Sequence, residues 1–483
     1  MAVVLAVATG GSDADFRASA NARPNIILIT TDDQASTTFT RKIMPRTFRH
    51  LVDRGVRFEQ AIAAPPLCCP YRAGLISGRY DHNNGVTRNR PGYPDLEDPE
   101  LVLPRFLQEA GYRTGFVGKY LNGITAALGS EPAPGWDRWF ALDEPAYYGA
   151  EVSDEGQMRR LPRVAETTPT LNRIARQFVD EAAGPDPFFL WLAHFAPHPD
   201  RKGDGVCSGA SSAKADLADF RAVGDERMPQ TPDLVEVDRS DKPELIRERG
   251  PLTAPEREAE EQAWRCAAAS LRPVDRGIDL LVDQLERSGV AERTIIVFGS
   301  DNGMNYGHHG LAGKLGIYEQ MLRVPMVIRP VQARSAHRTS AVSEELVSQV
   351  DLMPTLLELA GADPCIGERC TRMDGRSLGP LLPGGTESWP TDRAIPIRLG
   401  DCRLNAFRTP TRTFARYLDP EPSCREESIE TYDLREDPFQ LENAALRESE
   451  FTDGLRERLF ELQRCTGIAD RDPPPPKGRF YCE

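Results

Sequence analysis

Four short runs of uninterrupted apolar residues limit what this chain can become. They are NIILIT (25–30), FFLWLAHF (188–195), TIIVFGS (294–300) and PMVIRP (325–330). A strand that is apolar at successive positions must be buried on both faces. That is the condition of a parallel sheet with helices packed on either side. Helical patterns fall between the runs as such a sheet requires: LPRFLQEAGY (103–112), TPTLNRIARQFVDEAA (168–183) and a long stretch over 257–289. The alternation predicts an α/β fold, a doubly wound and mostly parallel sheet flanked by helices.

In open α/β sheets, ligands collect beyond the carboxyl ends of the strands. NIILIT runs into Thr31-Asp32-Asp33, TIIVFGS into Asp301-Asn302-Gly303, and FFLWLAHF into Ala196-Pro197-His198. Asp32, Asp33, Asp301 and Asn302 all offer oxygen, and an oxygen-only set rich in carboxylates fits a hard divalent cation, Ca²⁺ or alternatively Mg²⁺. Either pair alone reads as a turn or a helix cap. Two such pairs at the ends of apolar strands favour the metal.

The stretch APPLCCPYRAG (64–74) then raises a mismatch. Pro70 suits the first turn of a helix that ends near Gly78, which puts Cys68 at the helix N-terminus. Backbone N–H groups there favour negative charge and lower a thiol's pKa. Sulfur, however, is a soft ligand and a poor neighbour for a hard cation, where an oxygen would serve far better. Oxidation of the cysteine to an aldehyde would remove the mismatch.

Cys68-Cys69-Pro70-Tyr71-Arg72, followed by AGLISGRY, resembles the Cys-x-Pro-x-Arg signature of the formylglycine-dependent sulfatase family, in the alkaline-phosphatase superfamily. RPNIILITTDDQ (23–34), GYRTGFVGKYLNG (111–123), PFFLWLAHFAPHP (187–199), the segment over 300–330, VDLMPTLLELAG (350–361) and YDLREDPFQLENAA (432–445) resemble the family in the same order. The resemblance implies hydrolysis of aryl or carbohydrate sulfate esters to alcohol and inorganic sulfate. It implies that Cys68 is made into formylglycine by a formylglycine-generating enzyme, and that the hydrate is the nucleophile. Asp32, Asp33, Asp301 and Asn302 would bind Ca²⁺ with an oxygen of the modified Cys68. Arg72 and Lys119 would hold the hydrate. His198 and Lys314 would bind the sulfate, with His198 protonating the leaving oxygen. Both lysines follow a glycine in a chain with only seven lysines.

There are two departures from the family pattern. Tyr71 stands where the family usually has serine, a position read by the modifying enzyme. Leu121 stands where many members have histidine; the adjacent Asn122 is taken as a substrate contact, as in the glucosamine-6-sulfatase branch. Of His308 and His309, the second is the better candidate for the pocket, with a place behind the contact layer as the alternative. His194 reads as a satisfied core histidine and His82 as a surface or cap residue.

Length and charge bound the rest. The 483 residues suit a large catalytic domain, placed at 23–375, and a smaller α+β subdomain over 376–483. Residues 200–255 read as a polar surface excursion stapled by Cys207, with Cys266 as partner. No stretch approaches the roughly 20 apolar residues of a spanning helix. Residues 1–22 read either as the back half of a secretory signal or as a disordered tail. Apart from Cys68 and Cys69, eight cysteines fall in neighbouring couples, which argues for disulfides and a secreted or periplasmic location. The rivals are a phosphodiester or phosphonate monoester hydrolase on the same fold and an unmodified protein that binds anionic ligands without turnover.

The net charge of −14 excludes broad attraction to nucleic acid or anionic membrane. Outside the motifs the arginines are interleaved with acids, as in RERGPLTAPEREAEE (247–261), and no basic track extends along the chain. Small sulfate esters and sulfated mono- or oligosaccharides should therefore be hydrolysed faster, per ester, than intact heparin-like chains in low salt. Physiological salt should narrow the gap by screening. Rapid sulfate release from the long polymer at low salt would contradict this.

Overall fold

Alternate residues of the first strand, β1 (Asn25–Thr31), serve two different cores: Ile26 and Leu28 pack on one face of the sheet, Ile27 and Ile29 on the other. That double burial is what the continuous apolar runs encode. The computed structural model describes residues 23–163, 166–199, 207, 217–331, 340–385, 387–400, 403–419, 425–446 and 449–483. The remaining strands of the main part are β2 (Val56–Ile62), β3 (Arg113–Lys119), β4 (Arg138–Glu144), β5 (Glu151–Asp154), β6 (Gln157–Arg160), β7 (Phe188–Ala193), β8 (Thr294–Ser300), β9 (Asn305–Tyr306), β10 (Ala312–Gly313), β11 (Met326–Arg329) and β12 (Ala341–Ser348). β9 and β10 form a hairpin of their own. The other ten strands make one sheet, in the order β12-β2-β11-β8-β1-β7-β3-β4-β5-β6.

The five central strands, from β8 to β4, are parallel. The run PMVIRP, expected to suit the same parallel sheet, became β11, which is antiparallel to both β8 and β2. An apolar run reports burial on two faces and says nothing of direction. Between β8 and β11 the chain never crosses back over the sheet: it forms the β9–β10 hairpin and the short helix Glu319–Leu322, then re-enters running the other way.

Helices cover both faces, including Leu103–Glu109 and Leu352–Ala360 on one and Thr167–Ala182 and Ala254–Arg287 on the other. A smaller antiparallel sheet follows, built from Ile395–Leu399, Leu404–Arg408, Arg412–Leu418 and Glu426–Asp433, with the late helix Ser449–Leu462 against it. Its Ile395 and Ile397 share a core with Ile317, Leu322 and Leu346 of the main part. The described disulfides are Cys207–Cys266, Cys365–Cys370 and Cys465–Cys482, the nearest-neighbour pairs. Cys402, Cys424 and the N-terminal 1–22 lie outside the described residues. Among the described residues, no helix is long and apolar enough to cross a membrane.

Register aligns the strand ends into one rim. Thr31 of β1 pairs with Ser300 of β8, Thr30 with Ala193 of β7, and Ala193 with Gly118 of β3. Gly118 has φ +128°, and a Cβ there would lie 1.8 Å from the Ala193 carbonyl oxygen. Only glycine lets β3 deliver Lys119 so close to β7. Gly118→Ala should cost about 3 kcal/mol in urea unfolding and lower turnover. Unchanged stability would contradict this account of the rim.

Candidate active site

The helix Cys68–Ser77 begins at this rim, and all ten of its residues are buried. Gly78, at φ +64°, closes it in the left-handed conformation that glycine tolerates. Its first turn faces the ends of β1 and β8. Potential ligand atoms of Asp32, Asp33, Cys68 and Asp301 all lie within 4.8 Å of one another, and the four residues are buried. Asn302 joins them, its Nδ2 donating to Asp33 Oδ1 at 2.6 Å. Asp33 carries φ +66°, unusual for a residue with a side chain, and its backbone N–H donates to Asp301 Oδ1 at 3.1 Å.

Three cations press on these carboxylates. Arg72 donates to Asp301 Oδ2 from Nε at 2.9 Å and from Nη2 at 2.8 Å, and through Nη1 to the Lys119 carbonyl. Lys119 pairs with Asp32. Lys314 pairs with Asp33 and reaches Cys68 Sγ at 3.0 Å and Asn302 Oδ1 at 3.5 Å. Burial works against the charge of both lysines, yet Asp32 for Lys119 and Asp33 for Lys314 hold their pKa above the usual ammonium range. Burial likewise works against ionised Asp32 and Asp33, but their lysine partners and His198 keep both below the usual carboxylate range.

His198 is the more open member, with a side chain 30% exposed and Nε2 3.6 Å from Asp33 Oδ2. Its Nδ1 lies 2.8 Å from the Pro199 carbonyl, which can only accept, so Nδ1 carries a proton. Phe195 stacks on the ring at 4.9 Å between centres and also lies 5.9 Å from Lys119 Nζ. The sequence reading overlooked Phe195. The signal for it was the aromatic three residues before His198 in a run otherwise attributed to the strand.

The Cys68 environment overturns one expectation. The helix N-terminus was to favour a thiolate; instead, burial pushes the thiol up to about 12, with Lys119 opposing the shift and Asp32 and Asp301 adding to it. The thiol is 3.5 Å from Asp32 Oδ1, which it can only face as a donor. Cys69 serves differently. Its Sγ accepts from the Asn122 backbone N–H at 3.1 Å, and its own N–H donates to Asn89 Oδ1 at 2.9 Å.

The structure thus brings together Asp32, Asp33, Cys68, Arg72, Lys119, His198, Asp301, Asn302 and Lys314. Asn122 is set to one side, its Nδ2 donating to the Asn89 carbonyl at 3.3 Å. His309 is placed elsewhere, fully buried against Glu236 and Tyr318. Tyr71 is wholly buried in the core, its hydroxyl without a partner among the described residues. His82 is not a surface residue. Its side chain is 7% exposed, and it contacts the Cys465 carbonyl at 3.1 Å. His194 is in the core, but both ring nitrogens lack a partner among the described residues, and burial depresses its pKa to about 3.

The donor set fits a divalent cation on charge as well as chemistry. Asp32, Asp33 and Asp301 are balanced one for one by Arg72, Lys119 and Lys314, which leaves no excess positive charge to attract an anion. A divalent ion on the same carboxylates would supply that excess.

Comparison with known proteins gives the family. The family model described as Sulfatase matches residues 24–362. N-acetylglucosamine-6-sulfatase of Homo sapiens is 29% identical over 517 aligned residues, covering 97% of this chain and 90% of that protein. Arylsulfatase of Volvox carteri is 29% identical over 402 residues, covering 78% and 61% respectively. A solved structure of a protein in complex with its substrate, D-glucosamine-2-N,6-O-disulfate, superposes with a TM-score of 0.72 at 22% identity, over 90% of this chain and 96% of that one. The last is a likeness of fold.

Removing divalent ions with a chelator should lower activity and melting temperature together. Ca²⁺ restored to about 100 times its Kd should return about 2.7 kcal/mol of stability. No thermal response to Ca²⁺, or zinc recovered on cysteines, would contradict a site on these carboxylates.

Proposed function

This chain belongs to the sulfatase family and is a sulfuric ester hydrolase; on that premise we propose that it removes sulfate from small aryl or carbohydrate esters through a formylglycine made from Cys68 beside a bound Ca²⁺. One observation carries the reading: Cys68 Sγ stands at the focus of the site, 3.0 Å from Lys314 and 3.5 Å from Asp32, at the start of a buried helix. A protonated thiol there is a weak nucleophile, whereas the aldehyde hydrate supplies an oxygen in its place.

The chain's own residues do the rest. Lys314 and Lys119 flank position 68 and meet the ester's anionic oxygens as compact point charges, fixed in place before the substrate arrives. Arg72 holds Asp301 and the Lys119 carbonyl, so the helix start and the end of β3 move as one unit. His198 reaches outward, towards the leaving oxygen. With Nδ1 donating to the Pro199 carbonyl, Nε2 is the ring nitrogen left to serve the leaving oxygen, and it lies 3.6 Å from Asp33. A cation on Asp32, Asp33, Asp301 and Asn302 would add charge that polarises the ester oxygens. Ca²⁺ suits this protein-rich oxygen set better than Mg²⁺, which retains more water.

The names of the relatives favour sulfate esters over phosphonate esters, and a 6-sulfated glucosamine is the carbohydrate they point to. Asn122 is assigned to the substrate side, beside Cys69. The disulfides support a location outside the cytoplasm, and a formylglycine-generating enzyme is the partner in maturation. The catalytic unit is assigned to 23–375 and the smaller subdomain to 376–483.

Cys68→Ala should abolish release of sulfate from N-acetylglucosamine 6-sulfate and from an aryl sulfate, while Cys69→Ala keeps most of it. His198→Ala and Lys314→Ala should lower turnover by roughly 10²-fold or more with little change in melting temperature. An active Cys68→Ala protein, faster turnover of a phosphonate monoester, or unfolding of His198→Ala would overturn these roles.

A further inference from the structure

Lys314 leaves a hairpin whose backbone is held in costly conformations. β9 and β10 pair Tyr306 with Ala312 and Asn305 with Gly313, so Lys314 follows the last paired residue directly. In the turn, His309 has φ +56°, and Leu315 on the far side of Lys314 has φ +84°. A residue with a side chain is strained in that region and persists there where its surroundings impose it. Leu315 is 53% exposed and has little to hold it. His309 is fully buried, and its ring is held at Nδ1 and on one face.

The Nδ1 of His309 lies 2.8 Å from Glu236 Oε2, and a carboxylate can only accept, so Nδ1 donates. The ring face stacks on Tyr318 at 3.9 Å between centres, and Nε2 is 3.8 Å from Asp233 Oδ2. Glu236 is itself held by Lys242 at 3.3 Å. Tyr318 donates to Glu430 at 2.9 Å, which also accepts from Tyr417 and Tyr432 in the small sheet. Beside His309, Gly310 has φ +69°, and a Cβ there would fall 2.4 Å from Arg239 Nη1 and 2.6 Å from the Gly250 carbonyl. The polar excursion and the C-terminal sheet therefore converge on one turn, four to five residues before the catalytic lysine.

We propose that His309 is a positioning residue for Lys314, fixed by Glu236 and Tyr318, and that the excursion supplies the anchor that sets the ammonium on the sulfate. The inference rests on the role given to Lys314 above. Loss of the anchor would let the hairpin relax its strained turn and carry Lys314 off the ester, and a misplacement of about 1 Å can cost on the order of 10²-fold in rate.

A double-mutant cycle between Glu236→Ala and Lys314→Ala tests it, with kcat and KM measured separately on an aryl sulfate. Glu236→Ala should lower kcat roughly 10- to 100-fold at a temperature where the variant is fully folded. In the Lys314→Ala background the same change should cost less than about threefold, because the group it positions is gone. Equal losses in both backgrounds, or no loss of kcat, would overturn the proposal. Should Glu236→Ala fail to fold, His309→Gln is carried through the same cycle with the same expectations. If Lys314→Ala alone retains full turnover, the assigned role of Lys314 falls and this proposal with it. If Lys314→Ala is inactive and the anchor variants are not impaired, only the positioning role falls.

Discussion

The arrangement depends on three buried carboxylates gathered where two strands end. Asp32 and Asp33 could not sit side by side as anions without compensation, because burial alone would drive protons onto them. Arg72, Lys119 and Lys314 provide it, one cation to each carboxylate. Buried ion pairs of this kind contribute little net stability, since desolvation offsets the attraction. What they fix is position. The helix at Cys68, the end of β3 and the hairpin of Lys314 come from distant parts of the chain, and each brings the cation that ties it to the same acids.

That dependence explains why some elements were legible in the sequence and others were not. NIILIT and TIIVFGS announced strands buried on two faces, and the acids following each were visible as a pair of oxygen-donor clusters. The Cys68 helix was legible from Pro70 and Gly78. Direction was not legible for PMVIRP, because apolarity carries no polarity of pairing. The thiol of Cys68 was misjudged because the helix N-terminus is a local effect, while the burial that outweighs it comes from packing of the whole rim. Tyr71 looked like a defect in a recognition motif, yet in the folded chain it fills core volume.

His309 shows the limit most plainly. Its place in the sequence, between Asn302 and Lys314, makes it look like a pocket residue. Its partners Glu236 and Asp233 come from the polar excursion, and Tyr318 from beyond the lysine. A segment whose composition reads as surface proves to contain buried Asp233, Glu236 and Lys242, all at or below 7% exposure. Charged residues tolerate that burial only when paired. No local pattern marks which surface-like stretch will supply such partners.

The account turns on what atom stands at position 68. Protein produced alongside a formylglycine-generating enzyme should yield a peptide spanning Cys68–Arg72 whose mass is that of an aldehyde at position 68 and an intact thiol at position 69. Active protein with both thiols intact, or with the aldehyde at Cys69, would contradict the account.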